Sequence, residues 1–437
     1  MSSLVDFVKQ TAVPPEHRAN FHHLYFDIAW YGVLSGSAIS FLAVFATRLG
    51  ADGFQLGLLN AIPAIINLIF TLPAGQWLQD KPISRSVFQT AVWNRLFYAV
   101  WIFLPMLLAP SLQVWALIII LLVMSVPGTA LAVGFNALFA AAVPPEWRGH
   151  VAGIRNGILS LTFMVTTLLC GWILEHVPFP VGYQIIFGLG FLGAIMSTVH
   201  LWFVKPEQEF FQGSPPDRSI PVGDQARPGL VRSLVGREYV GLRWLARRRG
   251  RFLSTLPILK GPFGIIVAVL FAFHLAQYMA IPLFPLYWVN VLHFSDADIS
   301  YGNAVFYGAV LLGSMQLAWI TRKWGHKRVL FTGVLLISSY PALTAVTQNL
   351  TLFLITSAIG GIAWSMVGGA IANYLLEHIP VDNRPTHLAW YNLGLNAAIL
   401  LGSLAGPLIA NFTGLVNALF LAAALRFAAG LAIWKWG

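Results

Sequence analysis

The chain has 437 residues, of which 57% are hydrophobic and only 10% are charged, and its mean hydropathy is +0.73. An ordinary soluble domain carries about 25% charged residues, so this composition excludes a soluble globular protein and indicates a polytopic membrane protein. The formal net charge of +10 would suggest a nucleic-acid partner in a soluble protein. Here we attribute it to membrane topology and expect no nucleic-acid binding.

Apolar windows of about 20 residues, each long enough to cross a hydrocarbon core of ~30 Å, recur along the chain. The polar residues 1–20 lack an apolar core, so we expect a cytoplasmic tail and no cleavable signal peptide. The windows of the first half lie at 22–47, 54–78, 86–109, 112–142, 151–174 and 180–204. Those of the second half lie at 262–290, 297–321, 328–347, 350–378, 386–411 and 414–434. The pattern predicts an all-α membrane protein with twelve transmembrane helices, six in a bundle over 21–204 and six in a bundle over 261–437.

A polar stretch over 205–260 separates the two predicted bundles and is expected to be a cytoplasmic linker. It begins as a Pro-, Gly- and Ser-rich segment and continues as LVRSLVGREYVGLRWLARRRGRF, whose apolar residues recur on one helical face. Two interpretations stay open for this basic segment. It forms an amphipathic helix on the membrane surface, which we favour, or it is a solvated basic loop.

Lys and Arg residues are distributed very unevenly between the two sides of the predicted bundles. If both termini are cytoplasmic, that side receives the basic residues of the tail, the linker and most turns, and the opposite side receives Arg48 alone. Cytoplasmic loops of membrane proteins carry an excess of Lys and Arg. We therefore predict a multi-pass protein of the cell (cytoplasmic or inner) membrane with both termini in the cytoplasm.

The two halves repeat one another around the connection between the fourth and fifth helix of each half. The first copy reads NALFAAAVPPEWRGHVAGIRN and the second reads NYLLEHIPVDNRPTHLAWYN. Arg148 recurs 236 positions later as Arg384, and Asn156 recurs at the same spacing as Asn392. A parallel repeat of this length predicts two pseudo-symmetric bundles.

Charged turns follow the second helix of each half, and they read GQWLQDKPISRS and AWITRKWGHKR. With six-plus-six helices, cytoplasmic termini and a long basic central loop, they make the chain resemble the major facilitator superfamily over essentially its full length. Both turns depart from that superfamily's signature, Gly-x-x-x-Asp-Arg-x-Gly-Arg-Arg. The charged residues that we expect in cytoplasmic turns and gates are Asp80, Lys81, Arg85, Arg148, Arg322, Lys323 and Arg384.

The resemblance implies a monomeric secondary active transporter that moves a small molecule by alternating access of two bundles around a central cavity. The sequence has no Gly-x-x-x-x-Gly-Lys phosphate loop and no nucleophile–base constellation, so we expect no ATP-driven transport, no enzyme activity and no cofactor. The Gly-Pro-x-x-Gly-Gly motif usual on helix 5 of drug/proton antiporters is also missing. Alternatives are a lipid or amphiphile flippase, a multidrug efflux pump, and a non-transporting membrane assembly factor.

Asp27 is the only acidic residue well inside a predicted membrane segment, and Tyr31 follows it one helical turn later. Charged groups within membrane helices cost about 2.5–3.5 kcal/mol on insertion scales, so they are candidates for function. We interpret Asp27 as a protonatable carboxylate that lines a cavity and couples transport to protons. The alternative is an acid placed at the headgroup boundary by the dipole of its helix.

Arginines lie in predicted membrane segments as well. Arg155 either pairs with Asp27 or extends its guanidinium to the membrane surface. Arg95 lies about 12 residues into the third helix, where its partner is Asp27, an anionic substrate or a structural group. Arg426, on the twelfth helix, is a weaker candidate for function.

In the second half, His274, Gln277 and Tyr278 share one helical face. Histidine titrates in the physiological range, so His274 is either a proton relay or a hydrogen-bonded packing residue. The adjacent His22 and His23 have no third ligand in view, and we predict no metal site. Other candidates for the cavity wall are polar or aromatic residues at helical spacing: Asn60, Asn67, Asn156, Asn303, Tyr307, Trp364, Tyr391, Asn392 and Asn396.

Overall fold

The computed structural model describes residues 15–79, 81–206, 253–380 and 384–437. Asp80 of the predicted gate, residues 1–14 of the tail and the basic segment of the linker lie outside the described residues. Throughout the described ranges the regular elements are helices, and twelve of them are long and apolar enough to cross a membrane. The predicted fold class is confirmed.

The first bundle contains six long helices. The first, α1, runs through Pro15–Leu34, a π-helical turn at Ser35–Ile39 and a last segment at Ser40–Arg48. The others are α2 (Gly53–Gln79), α3 (Ile83–Leu107), α4 (Pro110–Ala142), α5 (Pro145–His176) and α6 (Val181–Phe203). Proline suits the first position of a helix because it lacks an N–H that would have no partner there. Accordingly, α5 begins at Pro145 rather than at residue 151, and Arg148 belongs to its first turn.

The second bundle follows a short 3₁₀ helix at Leu253–Lys260. Its first long helix, α7, consists of Pro262–Ala280, Leu283–Leu286 and a π-helical turn at Tyr287–Val291. The remaining helices are α8 (Asp296–Trp324), α9 (His326–Val346), α10 (Leu350–Glu377), α11 (Arg384–Thr413) and α12 (Leu415–Trp436).

Helix packing in the second bundle repeats that in the first. In the first bundle α1 packs on α5 and α6, and α4 packs on α2 and α3. In the second bundle α7 packs on α11 and α12, and α10 packs on α8 and α9. Each contact thus recurs six helices later, which confirms the two pseudo-symmetric six-helix bundles.

The bundles meet along two seams, α2 against α11 and α5 against α8. We call the end of the molecule that carries the α1–α2 turn the Arg48 face, and the opposite end, where α1 begins and α12 ends, the termini face. Both seams are tight near the Arg48 face. A methyl group added at Gly57 would overlap the backbone of Ser403, and one added at Gly171 would overlap the side chain of Ser300.

Candidate functional site

Asp27 and Arg155 form a buried ion pair between α1 and α5. Both terminal nitrogens of Arg155 donate to Oδ2 of Asp27, at 3.1 and 3.2 Å, and Nη1 also donates to the backbone oxygen of Leu24 at 2.6 Å. The hydroxyl of Ser197, on α6, donates to Oδ1 of the same carboxylate at 2.5 Å. Both carboxylate oxygens therefore have partners inside the first bundle.

Arg95 extends this network from α3. Its Nη2 lies 4.0 Å from Oδ1 of Asp27, while Nη1 donates to Oγ1 of Thr198 at 2.8 Å and to the backbone oxygen of Ala194 at 3.3 Å. Arg155 is thus the direct partner of Asp27, and Arg95 is a more distant one. We call Asp27, Arg95 and Arg155 the charge cluster.

The charge cluster lies within the first bundle, because the partners of Asp27 belong to α3, α5 and α6. Asp27 is not among the residues that line the cavity described below. The guanidinium of Arg155 also lies 4.9 Å from the ring centre of Phe135 on α4, within the range of a cation–π contact. These contacts with α1 and α4 hold the guanidinium of Arg155 inside the bundle, away from the surface.

The second bundle has an uncharged contact between the corresponding helices. Nε2 of His274, on α7, lies 3.1 Å from the hydroxyl of Tyr391, on α11. Tyr391 stands 236 positions after Arg155, so the two residues occupy equivalent places in the repeat. Of the predicted polar face of α7, at least His274 is therefore buried against α11.

Arg426 is fully buried in the second bundle. Its guanidinium donates to the backbone oxygens of Gln277 at 2.9 Å, Ile337 at 3.2 Å and Ala276 at 3.4 Å. No carboxylate among the described residues forms an ion pair with it. Arg426 thus binds the backbones of α7 and α9, which sequence reasoning did not foresee because backbone acceptors leave no signal in the sequence.

A chain of amide and hydroxyl groups crosses the seam between α2 and α11. Thr129, on α4, donates to Oδ1 of Asn67 at 2.7 Å, and Nδ2 of Asn67 donates to Oδ1 of Asn396 at 3.3 Å. Nδ2 of Asn396 then donates to the backbone oxygen of Asn392 at 3.0 Å. The structure therefore joins three of the predicted asparagines into one connection between the bundles.

The bundles also touch where α8 meets the first bundle. The ring of Tyr307 packs against that of Phe163 with 3.8 Å between their centres, and Nδ2 of Asn303 donates to the hydroxyl of Ser40 at 3.3 Å. Asn60, by contrast, donates to the backbone oxygen of Leu56 on its own helix.

An ion pair closes the Arg48 face between the bundles. Nη2 of Arg48 lies 3.0 Å from Oδ1 of Asp296 and donates to the backbone oxygen of Phe294 at 2.6 Å. Both side chains are partly exposed. Sequence analysis placed Arg48 alone on its side but did not identify this partner, because the two residues lie in different halves of the chain.

A cavity of about 300 Å³ lies between α5 of the first bundle and α8 and α10 of the second. It contains two of the predicted wall residues, Asn156 and Trp364. Sequence analysis missed Ser314 and Ser365, since isolated serines among apolar residues carry no distinguishing pattern. The lining residues are Gly153, Asn156, Gly157, Ser160, Val310, Leu311, Ser314, Met315, Ala318, Trp364, Ser365 and Gly368.

The charged turn residues mostly make local contacts. Nζ of Lys81 lies 4.1 Å from the ring centre of Trp77, and Nζ of Lys323 lies 5.3 Å from that of Trp319. Arg148 donates to the backbone oxygens that end α4, including that of Val143 at 3.0 Å, a usual role for a basic residue after a helix. Arg85 and Arg322 are exposed, and Arg384 begins α11.

Histidines near the termini face form a pair rather than a larger cluster. Nδ1 of His23 lies 3.1 Å from Nδ1 of His200. Within the described ranges, no group of three or more His, Cys, Asp or Glu side chains could hold a metal ion.

Twelve membrane-spanning helices in two bundles with a cavity between them are the architecture of many secondary membrane transporters. The sequence profile described as the Major Facilitator Superfamily matches residues 28–295 and 266–437. The chain therefore belongs to the Major Facilitator Superfamily. A comparison with curated protein sequences finds no significant match.

Solved transporter structures share the fold over nearly the whole chain. The nucleoside transporter NupG is 13% identical, with a TM-score of 0.65 over 95% of this chain and 98% of that one. The xylose transporter XylE from E. coli, in a partially occluded inward open conformation, is 14% identical, with a TM-score of 0.66 over 96% and 97%. The human organic anion transporter MFSD10 is 14% identical, with a TM-score of 0.62 over 96% and 100%. At such identities the likeness shows the fold alone.

Proposed function

We propose that the protein is a secondary active transporter that moves a small molecule across the cell membrane by alternating access. The observation that carries this proposal is the difference between the two ends of the seams. Near the Arg48 face, Gly57 and Gly171 are packed directly against the other bundle, whereas Gly153 and Gly157 of the cavity have no atom within 4 Å of an added methyl group. The bundles are thus closed at one end and separated around the cavity.

Both termini are proposed to be cytoplasmic, because the basic residues concentrate at that end, and the structure then represents an inward-facing state. Cys170 is the only cysteine of the chain and is buried, so a Cys170→Ser background allows single-cysteine labelling. An impermeant thiol reagent added to intact cells should label Asn411→Cys, exposed near the Arg48 face, and leave Arg85→Cys, exposed at the termini face, unlabelled. The reverse pattern would contradict this orientation.

Alternating access requires a second state in which the Arg48 face is open. Ser403 is buried against α2, so Ser403→Cys should react with thiol reagents only when this face opens. We expect Gly57→Ala to raise its labelling rate and to impair transport, because the added methyl group forces α2 away from α11. Gly188→Ala is the matched control, since nothing lies within 4 Å of a methyl group there. Unchanged labelling in Gly57→Ala would argue against the moving seam.

The substrate can be sought by thermal unfolding of the purified protein with sugars, amino acids, organic anions, nucleosides and amphipathic cations. A ligand at 100 times its dissociation constant stabilises a protein by about 2.7 kcal/mol. A ligand that stabilises the protein should then be transported into liposomes. If no ligand stabilises the protein, and a stoichiometric partner protein co-purifies, a membrane assembly factor becomes the better interpretation.

We further propose that transport is coupled to protons through Asp27. Support comes from its burial in a membrane helix and from its three polar partners on other helices, whose movement would alter the environment of the carboxylate. Asp27→Asn should abolish uptake driven by a pH gradient while leaving substrate exchange without a gradient. Asp296→Asn, which removes a carboxylate from the Arg48 face, is the control. Gradient-driven uptake that survives in Asp27→Asn would exclude this role.

The remaining expectations concern assembly. The cavity and both seams are complete within one chain, which supports a monomer embedded in the lipid bilayer. A molecular mass in nanodiscs close to that of one chain would agree with this proposal, and a stable dimer would contradict it.

A further inference from the structure

Among the described residues, no ionisable side chain lines the cavity between α5, α8 and α10. Its polar side-chain groups are one amide, three hydroxyls and one indole N–H, supplied by Asn156, Ser160, Ser314, Ser365 and Trp364. The rest of the wall is glycine, aliphatic side chains and the aromatic ring of Trp364. The wall therefore offers apolar contact and a few uncharged hydrogen-bonding groups.

The charged groups in the middle of the helices are engaged elsewhere. Asp27 and Arg155 contact each other within the first bundle, and Arg426 binds backbone oxygens within the second. A charge transferred from water to an apolar site without a partner is strongly unfavourable. A charged ligand in this cavity would lack such a partner, whereas a neutral ligand would need none.

Asn156 indicates where a ligand would be held. Its side chain is only 8% exposed, lines the cavity, and has an Nδ2 group for which the described residues provide no hydrogen-bond acceptor. A buried N–H without an acceptor is unfavourable. Nδ2 has almost no accessible surface in this conformation, so a rotation of the amide towards the cavity would bring it against a carbonyl, ether or hydroxyl oxygen of a ligand.

One edge of the cavity reaches the outer surface of α8. Met315 lines the cavity and is nevertheless 71% exposed. Leu312 and Trp319, one turn to either side, are 63% and 59% exposed on the same face. Large apolar side chains exposed on a membrane helix face lipid, so the cavity borders the bilayer at Met315.

We propose that the cavity binds an uncharged, mainly apolar molecule with one or two hydrogen-bonding groups. This inference rests on the proposed transport function and names its substrate class. The amide of Asn156 holds the polar group of the ligand, and Trp364 with the aliphatic wall covers its apolar part. Such a molecule reaches the cavity either from water at the termini face or from the bilayer past Met315.

The test uses the full chain in nanodiscs, with Gly157→Cys in the Cys170→Ser background. Gly157 lies in the wall with open space around it, so a bound ligand should slow alkylation of this cysteine by N-ethylmaleimide. The probes are 2-(2-naphthyl)ethanol, 2-naphthylacetate and 2-(2-naphthyl)ethylammonium, which share a ring and differ in charge. A second set consists of octanol, octanoate and octylammonium.

We expect the alcohols to slow alkylation several-fold at concentrations at which the corresponding ions have no effect. The proposal would be overturned if an ion slowed alkylation as much as its alcohol or more, or if neither alcohol slowed it. Binding is measured without a gradient, so this outcome is separate from that of the transport assay. A protein that transports a charged substrate would refute the substrate class and leave the transport proposal standing.

Asn156→Ala checks the role of the amide. It should weaken protection by the alcohols by about tenfold, the effect of one hydrogen bond of roughly 1.4 kcal/mol. Asn94→Ala is the matched control, because the amide of Asn94 donates to the backbone oxygen of Met124 within the first bundle and lies outside the cavity wall. Equal affinities in the two variants would refute the contact with Asn156.

The two routes of entry are separated by bulky substitutions on α8. Met315→Trp narrows the edge between cavity and bilayer, and Leu312→Trp adds the same bulk on the same face without lining the cavity. If the ligand enters from the bilayer, protection should develop more slowly in Met315→Trp than in Leu312→Trp. If it enters from water, protection should develop at the same rate in both.

Discussion

The two bundles use different chemistry at the same place in the repeat. In the first, Asp27 and Arg155 tie α1 to α5 through an ion pair. In the second, His274 and Tyr391 tie α7 to α11 through a neutral hydrogen bond. Arg155 and Tyr391 are separated by 236 residues, the spacing of the repeat, so the difference is one of chemistry rather than of position.

Both bundles thus have a polar contact between these helices, but only the contact in the first bundle is an ion pair. Removing one partner of a neutral hydrogen bond leaves an uncharged group without a partner. Removing one partner of a buried ion pair leaves an uncompensated buried charge, which costs more. The first bundle is therefore more sensitive to the loss of a single side chain. The following predictions test that difference, from the largest expected effect to the smallest.

Asp27→Leu should cause the largest loss of stability. It leaves the guanidiniums of Arg95 and Arg155 buried without a carboxylate, and breaking a buried pair in this way costs about 3–5 kcal/mol. The free energy of unfolding of the purified protein in mixed micelles measures the effect. Asp27→Asn, which retains a hydrogen-bond acceptor for Ser197, should lose less, and a loss below about 1 kcal/mol in Asp27→Leu would contradict the comparison.

Arg155→Met and Arg426→Met form a matched pair, one in each bundle. Arg155→Met leaves Asp27 with the hydroxyl of Ser197 and the more distant Arg95, so we expect a loss of about 1–3 kcal/mol. Arg426→Met leaves neutral backbone oxygens without their donor, and an unpaired buried carbonyl costs less than an unpaired buried carboxylate, so its loss should be the smaller of the two. Equal losses in the two variants, measured by the same unfolding assay, would show that the charge cluster is not exceptional.

His274→Phe should have the smallest effect of the set. It removes the hydrogen bond to Tyr391 but keeps an aromatic ring, so we expect a loss of about 1 kcal/mol. The unfolding free energy again provides the measurement, with Tyr391→Phe as the partner variant. A loss as large as that in Asp27→Leu would mean that the neutral contact is as critical as the ion pair.

Much of the fold could be predicted from the sequence. Each of the twelve apolar windows corresponds to a helix of the structure. The largest differences are at two helix starts, since α1 begins at Pro15 instead of residue 22 and α5 begins at Pro145 instead of residue 151. Helix length is predictable because each span must satisfy its own backbone hydrogen bonds across an apolar layer of ~30 Å. Because that requirement applies to each segment separately, the composition of a segment is enough to predict its helix.

The candidate site could be predicted only in part. Asn156 and Trp364 line the cavity, but the candidate Asp27 contacts only partners of its own bundle, and Ser314 and Ser365 were not anticipated. The direction in which a side chain points depends on how its helix is rotated against its neighbours. In a soluble helix the apolar stripe reveals that rotation. In a membrane helix the lipid-facing and core-facing sides are both apolar, so the stripe is weak.

The sequence by itself determined the membrane class, the helix count, the repeat and the uneven distribution of basic residues, because each depends on composition or on spacing along the chain. Tertiary structure alone decided that Arg155 rather than Arg95 is the direct partner of Asp27, that Arg48 meets Asp296 across the bundles, and that the described residues of the cavity wall carry no charge. These features join residues far apart in sequence. Their physical cause is the rotation and packing of whole helices, which no single segment encodes.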